Sequence, residues 1–246
     1  MCGINGLIKA NINENDINNV LEMNNILFHR GPDNSDIWSN TDVVFGHTRL
    51  AIIDLNQRSN QPFKKDNYVI TFNGEIYNYK ELKKKLPEVS FSTDSDTEVI
   101  LELWKKYKEN SFDMLRGMFA FAIYDTITNE TIIARDHFGI KPLYFYTDEK
   151  KIIFSSEIKA IKKIIGKDLN VSEEAIVAST LYCWIPEKNC IFNEVEKLEP
   201  GEFIKIKDNV IKIGKYWSNR TLIEKKPSLK KIDDAIEKLS HTLEDS

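Results

Sequence analysis

Short apolar runs of strand length dominate the hydrophobic pattern of the chain. They are rich in β-branched and aromatic residues, and turn residues separate most of them, which is typical of β-strands. The run FAFAIY at residues 119–124 is apolar at every position, so both faces of that strand are expected to be buried. The predicted strands are Ile4–Ile8, Val43–Phe45, Leu50–Leu55, Tyr68–Phe72, Met118–Tyr124, Thr131–Ala134, Leu143–Tyr146, Ile152–Phe154 and the alternating segments between 203 and 213.

Helical periodicity is found in fewer segments. Apolar residues recur at helical spacing over Asn15–Phe28 and Thr97–Tyr107, and residues 172–181 are expected to form a shorter helix. One of the polar residues 94–96 is expected to cap the second of these helices. Many strands with a few helices predict an α+β fold, in which the helices pack outside the sheets.

The end of the chain carries one more amphipathic pattern. After the polar segment TLIEKKPS, an apolar stripe is formed by Ile232, Ala235, Ile236, Leu239 and Leu243. The stripe either docks on its own domain or contacts another unit, and the sequence favours neither interpretation.

Composition and charge exclude several classes of protein. The 246 residues are 41% hydrophobic and 29% charged. They include 34 Lys and Arg and 38 Asp and Glu, which give a formal net charge of −4. This balance argues against electrostatically driven nucleic-acid binding, and no apolar run approaches the about 18 residues that span a membrane. The N-terminus lacks the pattern of a secretion signal, and three cysteines without zinc-like spacing fit a reduced cytosol. A cytoplasmic protein without nucleic-acid or membrane partners is therefore expected.

Cys2 is the most informative residue for chemistry. A small residue at position 2 favours removal of the initiator methionine, which would leave a cysteine with a free α-amine. Such an amine has a reference pKa of roughly 7.7 to 8.0. One residue would then supply both a nucleophile and the general base that takes its proton. The alternative is a cysteine that lies near the N-terminus by chance.

The dipeptide Asn73-Gly74 lies between apolar residues and predicts a hairpin turn. The same tight turn would alternatively present the Gly74 N–H and the Asn73 amide as two convergent donors. Donors arranged in this way form an oxyanion hole for a tetrahedral intermediate. The motif alone does not choose between the two interpretations.

Arg49 and Asp96 are charged residues that adjoin apolar segments. Arg49 begins the run RLAIIDL, so it needs an anionic partner. That partner is either an internal carboxylate, for which Asp54 is available, or a substrate carboxylate held by the two-pronged guanidinium. Asp96 is either a helix cap or first-turn acid, or a group that binds a substrate ammonium.

The order of the motifs carries more information than any single motif. The segments in question are MCGI, HRGPD, GHTRLAIID, QPF, FNGEIYN, SDTEVIL, GMFAFAIYD, RDHFGIKPLYF and SSEIKA. Together they resemble class II glutamine amidotransferases, and more closely the N-terminal glutaminase domain of glutamine-hydrolysing asparagine synthetases. The resemblance covers about residues 1–217. It implies an N-terminal-nucleophile (Ntn) hydrolase fold, a four-layer αββα sandwich of two antiparallel sheets, with the C-terminal amphipathic helix in addition.

The resemblance also implies roles for single residues. Cys2 matches the nucleophile whose own amine is the base, and Asn73 and Gly74 match the oxyanion hole. The residues implied to hold glutamine are Arg49 at its α-carboxylate, the backbone of Leu50, Ile52 and Ile53 along the pocket, Asn73 and Gly74, and Glu75 and Asp96 at its α-ammonium. Attack on the side-chain amide would give a γ-glutamyl thioester and ammonia, and water would then release glutamate. No metal is expected in this site.

Other reactive side chains are interpreted as structural. The family pattern uses no histidine base, so His29 and His47 are expected to have structural roles. Cys183 and Cys190 lie among apolar and aromatic residues and are expected to pack, with a redox pair as the alternative. Buried polar networks, or a surface facing a partner domain, are expected to contain Arg30, Asp33, Arg135, Asp136 and Lys141.

The resemblance further implies how the chain is divided. Residues 2–217 are expected to form the glutaminase domain, and 218–246 a linker and the first helix of a missing synthetase domain. The Ser-Gly-Gly-x-Asp-Ser loop that opens such a synthetase domain does not occur in the sequence. No cofactor is therefore expected in this chain, and ATP and Mg²⁺ only in the synthetase domain. The expected partners are L-glutamine and a synthetase domain in cis or in trans, with a homodimer as a further option.

Three functions stay open. The first is a working glutaminase of the asparagine-synthetase type, which supplies ammonia. The second is a module of the same fold that binds glutamine or a partner without turnover. The third is a glutaminase that serves another acceptor, such as an amino sugar.

Overall fold

The computed structural model describes residues 1–166, 168–186, 188–208, 210–218 and 231–244. In these ranges the strands are β1 (Gly3–Ile8), β2 (Asn34–Ser39), β3 (Val43–Arg49), β4 (Phe63–Lys65), β5 (Tyr68–Ile76), β6 (Gly117–Asp125), β7 (Glu130–Arg135), β8 (Tyr144–Thr147), β9 (Ile152–Ser155), β10 (Val195–Lys197), β11 (Glu202–Lys207) and β12 (Val210–Lys215). The α-helices are α1 (Glu14–Leu27), α2 (Tyr79–Lys84), α3 (Asp96–Tyr107), α4 (Ile158–Ile165), α5 (Glu173–Tyr182) and α6 (Ile232–Glu244). Short 3₁₀ helices cover Phe28–Arg30, Gln57–Ser59 and Lys108–Met114.

The strands form two antiparallel sheets. The first sheet has the order β10-β8-β9-β1-β3-β2, and the second has the order β12-β11-β7-β6-β5-β4. The first strand of the chain, β1, lies inside its sheet and pairs with β3 and β9. In the second sheet, β5 pairs with β6 along its whole length, from Tyr68 opposite Asp125 to Ile76 opposite Gly117. The N-terminus of the chain is therefore held at the end of an interior strand.

Three apolar clusters divide the molecule into layers of helix, sheet, sheet and helix. The cluster between the two sheets includes Ile4 and Phe45 from one sheet and Tyr124 from the other. A second cluster packs α1 and α4 on the outside of the first sheet, and a third packs α2 and α3 on the outside of the second sheet. The predicted α+β class and four-layer αββα sandwich are confirmed.

The uninterrupted apolar run of β6 is explained by these layers. Ala120 and Ala122 face the other sheet, whereas Phe121 and Ile123 belong to the cluster beneath α3. Successive side chains of a strand point to opposite faces, and here both faces are buried. The expectation from the FAFAIY run is thus confirmed.

The three internal helices predicted from the sequence are present as α1, α3 and α5, each with a polar N-cap. Asn13 caps α1, because its side-chain oxygen accepts from the Asp16 N–H. The Asp16 carboxylate in turn accepts from the Asn13 N–H, and the two hydrogen bonds together form a capping box. Ser95 caps α3 by accepting from the Thr97 N–H at 3.2 Å. Ser172 caps α5 in the same way, so each boundary follows from a side chain that satisfies a free helical N–H.

Two local predictions are wrong. Leu50–Leu55 is not a strand, because β3 ends at Arg49 and the following residues leave the sheet. Asn73-Gly74 is not a turn either, because both residues lie inside β5, opposite Ala120 and Phe119 of β6. The apolar run on either side of this dipeptide continues the strand, and backbone pairing with β6 outweighs the local preference of Asn-Gly for a turn.

The prediction that Cys183 packs inside the fold is also wrong. Cys190 is buried, but Cys183 is exposed and ends α5 in a left-handed conformation with φ 56°. Large apolar side chains near it, Leu181 and Trp184, are exposed as well. The end of α5 therefore belongs to the surface.

The apolar stripe of α6 is exposed in the described part of the chain. Ile232, Ile236, Leu239 and Leu243 are all more than half exposed, from 58% to 78%. Docking on its own domain, one of the two interpretations of this stripe, is thus not observed. The preceding polar segment TLIEKKPS (221–228) lies outside the described residues.

Two other features are absent from the described ranges. None of their helices is both long enough and apolar enough to cross a membrane. Nor do they contain a group of three His, Cys, Asp or Glu side chains placed to hold a metal ion.

Candidate active site

A cavity of about 220 Å³ lies beside the N-terminus. It is formed where the start of β1, the end of β3, the second half of β5 and the N-terminus of α3 approach one another. The structure brings all of the predicted site residues to this cavity, namely Cys2, Arg49, Leu50, Ile52, Ile53, Asn73, Gly74, Glu75 and Asp96.

Cys2 is fixed by contacts on both its thiol and its carbonyl. Its Sγ accepts from the Leu50 N–H at 3.4 Å and donates to the Leu50 carbonyl at 3.6 Å. Its carbonyl accepts from Arg30 Nε at 3.0 Å, and Arg30 in turn pairs with Glu157 at 3.0 Å. Arg30 thus contributes to the site by fixing the backbone of Cys2.

The thiol of Cys2 is not activated by its surroundings alone. Burial raises the pKa of the Cys2 thiol, although the contact with Leu50 and the charge of Arg49 act in the opposite direction. A neutral thiol is a poor nucleophile. If Cys2 reacts, a general base must therefore remove its proton.

The main chain of β5 presents an N–H to the cavity at Gly74. The Phe72 N–H donates to Gln61 Oε1 at 2.6 Å, and the Ile76 N–H donates to Asp96 Oδ2 at 3.0 Å. Alternate residues of a strand direct their N–H groups to the same side. Gly74 lies midway between these two residues, so its N–H also points away from β6. Since Gly74 lines the cavity, this N–H is directed towards it.

Asn73 supplies a second donor. Its side chain is 1% exposed, and its Nδ2 is buried without a hydrogen-bond acceptor among the described residues. A buried amide donor without a partner costs roughly 1 to 3 kcal/mol. This cost is explained if the donor is kept for an acceptor that enters the cavity.

Glycine is required at position 74 by close packing rather than by a turn. A Cβ there would lie 2.2 Å from the Met118 carbonyl oxygen and 2.8 Å from Phe119 Cα. Both atoms belong to the backbone of β6, which cannot move aside cheaply. The tight approach of the two strands therefore fixes the position of the Gly74 N–H.

Arg49 is the last residue of β3 and binds the loop that follows it. Its Nη1 donates to the Asn56 carbonyl at 3.1 Å and to Asn60 Oδ1 at 2.6 Å, and its Nη2 donates to the carbonyls of Ile53 and Asp54. The predicted alternative of a salt bridge to Asp54 is wrong. The Asp54 carboxylate instead pairs with Arg58 at 3.1 Å, because the loop directs only the Asp54 carbonyl to Arg49.

The residues after Arg49 form one wall of the cavity. The start of this segment is fixed by Asp33, whose Oδ2 accepts from the Ala51 N–H at 2.8 Å. The Ile52 residue that follows is 60% exposed. Leu50, Ile52 and Ile53 therefore line the cavity from a loop that Arg49 and Asp33 anchor at its two ends.

Two carboxylates, those of Glu75 and Asp96, also line the cavity. Asp96 is the first residue of α3 and is 4% exposed, so it is a first-turn acid while Ser95 is the cap. Burial raises the pKa of Asp96 to about 6, and the nearby charge of Glu75 acts in the same direction. A cation bound between the two carboxylates would stabilise their ionised forms.

Several residues of the cavity were not predicted as site residues. Lys141, expected in a buried network or on a partner surface, lines the cavity and is 4% exposed. The others are Met1, Ser59, Gln61, Phe72, Ser95, Thr97 and Met118. Their residue types carry no signal of a site, although all of them except Ser59 lie within the motifs singled out in the sequence.

The remaining polar residues have structural contacts, as expected. Burial lowers the pKa of His47 to about 3, and its Nε2 contacts the Phe72 carbonyl at 3.1 Å. His29 contacts Glu157 at 2.9 Å. Arg135 donates to the carbonyls of Lys141, Leu198 and Gly139, and Asp136 accepts from four backbone N–H groups between 119 and 141.

Comparison with known proteins gives a match over most of the chain. The family model of the glutamine amidotransferase domain matches residues 1–217. Asparagine synthetase [glutamine-hydrolyzing] 1 of Bacillus subtilis is 40% identical over 192 residues, which cover 76% of this chain and 30% of that protein. Putative asparagine synthetase [glutamine-hydrolyzing] 2 of Methanocaldococcus jannaschii is 35% identical over 241 residues, or 88% of this chain and 46% of that protein. The chain thus spans less than half the length of these relatives.

Solved structures agree on the fold. Glutamine phosphoribosylpyrophosphate amidotransferase from B. subtilis superimposes with a TM-score of 0.63 at 22% identity, covering 87% of this chain and 49% of that one. A structure described as the allosteric regulatory enzyme of purine biosynthesis gives a TM-score of 0.62 at 21% identity, with the same coverage of 87% and 49%. These likenesses support the four-layer sandwich predicted from the motifs.

Proposed function

Because the chain belongs to the glutamine amidotransferase family, we propose that its cavity hydrolyses glutamine to glutamate and ammonia through a thioester on Cys2. The observation that carries this proposal is the meeting of three groups in one cavity. These are the Cys2 thiol, the Asn73 amide without a described acceptor, and the cavity-facing Gly74 N–H. A nucleophile and two convergent donors are what acyl transfer requires.

The proposed reaction begins when Met1 is removed and the α-amine of Cys2 becomes free. The amine takes the thiol proton as Sγ attacks the side-chain amide carbon of glutamine. Asn73 Nδ2 and the Gly74 N–H stabilise the oxyanion that forms. The carbon–nitrogen bond then breaks, and the protonated amine gives its proton to the departing ammonia. Water, deprotonated by the same amine, attacks the thioester and releases glutamate and the free thiol.

The charged residues suit the two ends of a free amino acid. Glu75 and Asp96 are proposed to hold the α-ammonium of glutamine, and Arg49 its α-carboxylate. The Arg49 fork already donates to neutral oxygens of residues 53–60. A carboxylate is a stronger acceptor for guanidinium than these oxygens, so substrate would replace some of them.

Replacing Arg49 by Lys tests this contact. A point charge cannot reproduce the two-pronged fork, so KM for glutamine should rise about tenfold or more, equivalent to about 1.4 kcal/mol, with a smaller change in kcat. Arg58→Lys, in the same loop but paired with Asp54 and Asp94, is the matched control. Steady-state kinetics with equal KM values in both variants and the wild type would remove Arg49 from the substrate site.

The proposal extends to the enzyme of which this domain would be a part. The names of the relatives support an ammonia-supplying half of an asparagine-synthetase-type enzyme, whose complete reaction converts aspartate, glutamine and ATP to asparagine. Residues 2–217 would then be the glutaminase domain, and 218–246 would lead into a synthetase domain, which would use the ATP and Mg²⁺. Of the second segment, 219–230 and 245–246 lie outside the described residues.

Exposed apolar residues support a partner for this domain. Phe138 and Trp184 are 71% and 59% exposed, and the stripe of α6 is exposed as well. Such surfaces are typical of contacts with another protein unit. The requirement for a free Cys2 thiol supports the cytoplasmic location expected from cysteine usage.

The proposal is tested by incubating the purified chain with glutamine and measuring both glutamate and ammonia. Equal molar release of the two is expected. Tight glutamine binding by calorimetry without release of either product would instead favour a binding module.

A further inference from the structure

Lys141 is a buried cation that the reaction above does not use. It lies in the loop between β7 and β8, and its backbone N–H donates to Asp136 Oδ2 at 3.0 Å. Its side chain is 4% exposed and lines the same cavity as Cys2 and Glu75. The loop thus places a positive charge in the lining of the site.

The ammonium of Lys141 lacks the partner that burial normally demands. Among the described residues its side chain forms no ion pair, and its polar contact is Met1 Sδ at 3.4 Å. A thioether is a weak acceptor, and a buried charge without a counter-ion is costly. Burial lowers the pKa of Lys141, while the charges of Glu75 and Asp136 favour its protonated form. The fold therefore keeps a costly cation at this position.

Lys141 lies next to the N-terminal residue of the chain. Its Nζ contacts the side chain of Met1, the residue whose removal exposes the Cys2 amine. The α-amine of Met1 already shows the influence of this environment. Burial lowers its pKa, and the charges of Arg30 and Lys141 lower it further, whereas Cys2 acts in the opposite direction.

Other charged groups also face this corner of the cavity. Arg30 approaches from the 3₁₀ helix before β2, but Glu157 pairs with it at 3.0 Å. Arg49 approaches from β3, and the loop oxygens of residues 53–60 occupy its fork. The anions Glu75 and Asp96, on β5 and α3, are assigned to the substrate ammonium. Among these groups, Arg49 and Lys141 pair with no described carboxylate, and Lys141 also has no oxygen acceptor for its ammonium among the described residues.

Resting on the proposed function, we propose that Lys141 is a positioning residue whose positive charge keeps the α-amine of Cys2 neutral and able to accept the thiol proton. An ordinary α-amine, with a reference pKa of roughly 7.7 to 8.0, is mostly protonated at neutral pH and cannot serve as a base. A neighbouring cation disfavours the ammonium form and so lowers the pKa of the amine. Lys141 itself exchanges no proton in this scheme.

The test is the pH dependence of kcat/KM for glutamine hydrolysis by the full chain. In Lys141→Met the amine loses its neighbouring cation, so its pKa rises and the acidic limb should move to higher pH by about one unit. Lys141→Arg keeps the charge and should retain the limb of the wild type within a few tenths of a unit. Lys64→Met removes an exposed lysine of β4 and should leave the profile unchanged.

The outcomes separate this inference from the proposed function. An active Lys141→Met protein with an unmoved acidic limb, whether or not its rate falls, overturns the role of Lys141. The same result in Lys141→Gln decides the matter if the Met variant shows no thermal unfolding transition. A wild-type chain that releases no glutamate at any pH counts against the proposed glutaminase itself.

Discussion

Replacing Cys2 by Ala is expected to reduce glutamate release by at least about ten-thousand-fold, as loss of a nucleophile does in enzymes that form covalent intermediates. Alanine keeps the free α-amine after removal of Met1 but offers no sulfur for the thioester. The expected loss is therefore in kcat, with glutamine still bound by the charged residues of the cavity. Glutamate released over time, measured with wild type and variant at equal concentration, checks the prediction.

A matched cysteine variant controls for the loss of a thiol as such. Cys183 is exposed at the end of α5 and does not line the cavity. Cys183→Ala should release glutamate at the rate of the wild type. Equal rates in Cys2→Ala and wild type would refute the thioester mechanism.

The second large effect is expected for Asn73→Ala. Removing one donor of an oxyanion hole lowers kcat by roughly 10²- to 10³-fold. KM should change little, because the donor acts mainly on the charge that develops in the transition state. The Asn73 Nδ2 donor is also buried without an acceptor among the described residues, so its removal should not destabilise the fold, unlike the loss of most buried hydrogen-bonding groups.

Asn18→Ala, on the exposed side of α1, is the control for this experiment. It should match the wild type in kcat, KM and thermal unfolding. If Asn73→Ala keeps the kcat of the wild type, Asn73 does not stabilise the oxyanion. If it loses activity only because its unfolding temperature falls, the amide has a structural role instead.

Many strands and helices of the fold follow from strong local patterns, whereas their arrangement in four layers was implied by the family resemblance. β6 is apolar on both faces, α1 and α3 combine helical periodicity with a polar cap, and α5 begins after the polar cap Ser172. The strand β2 has no such pattern, because its sequence NSDIWS lies at the edge of a sheet and is partly exposed. Short edge elements of this kind owe their structure to a neighbour rather than to their own residues.

The site was predicted through the order of motifs, and its geometry depends on contacts between distant segments. No local rule indicates that Asn73-Gly74 continues a strand, since this depends on the close approach of the Met118 carbonyl. Leu50–Leu55 has the composition of a strand, but Arg49 binds the carbonyls of the segment and holds it as a loop. The burial of Lys141 beside Met1 could not be predicted from the sequence either, because the two residues meet only in the folded chain.

The central claim is that Cys2, freed from Met1, is the nucleophile. The most direct measurement is peptide mass spectrometry of the chain after treatment with the glutamine-like electrophile diazo-oxo-norleucine. The account predicts one label per chain, on an N-terminal peptide that begins with Cys2. Label on Cys183 or Cys190, or on a peptide that still carries Met1, would contradict it.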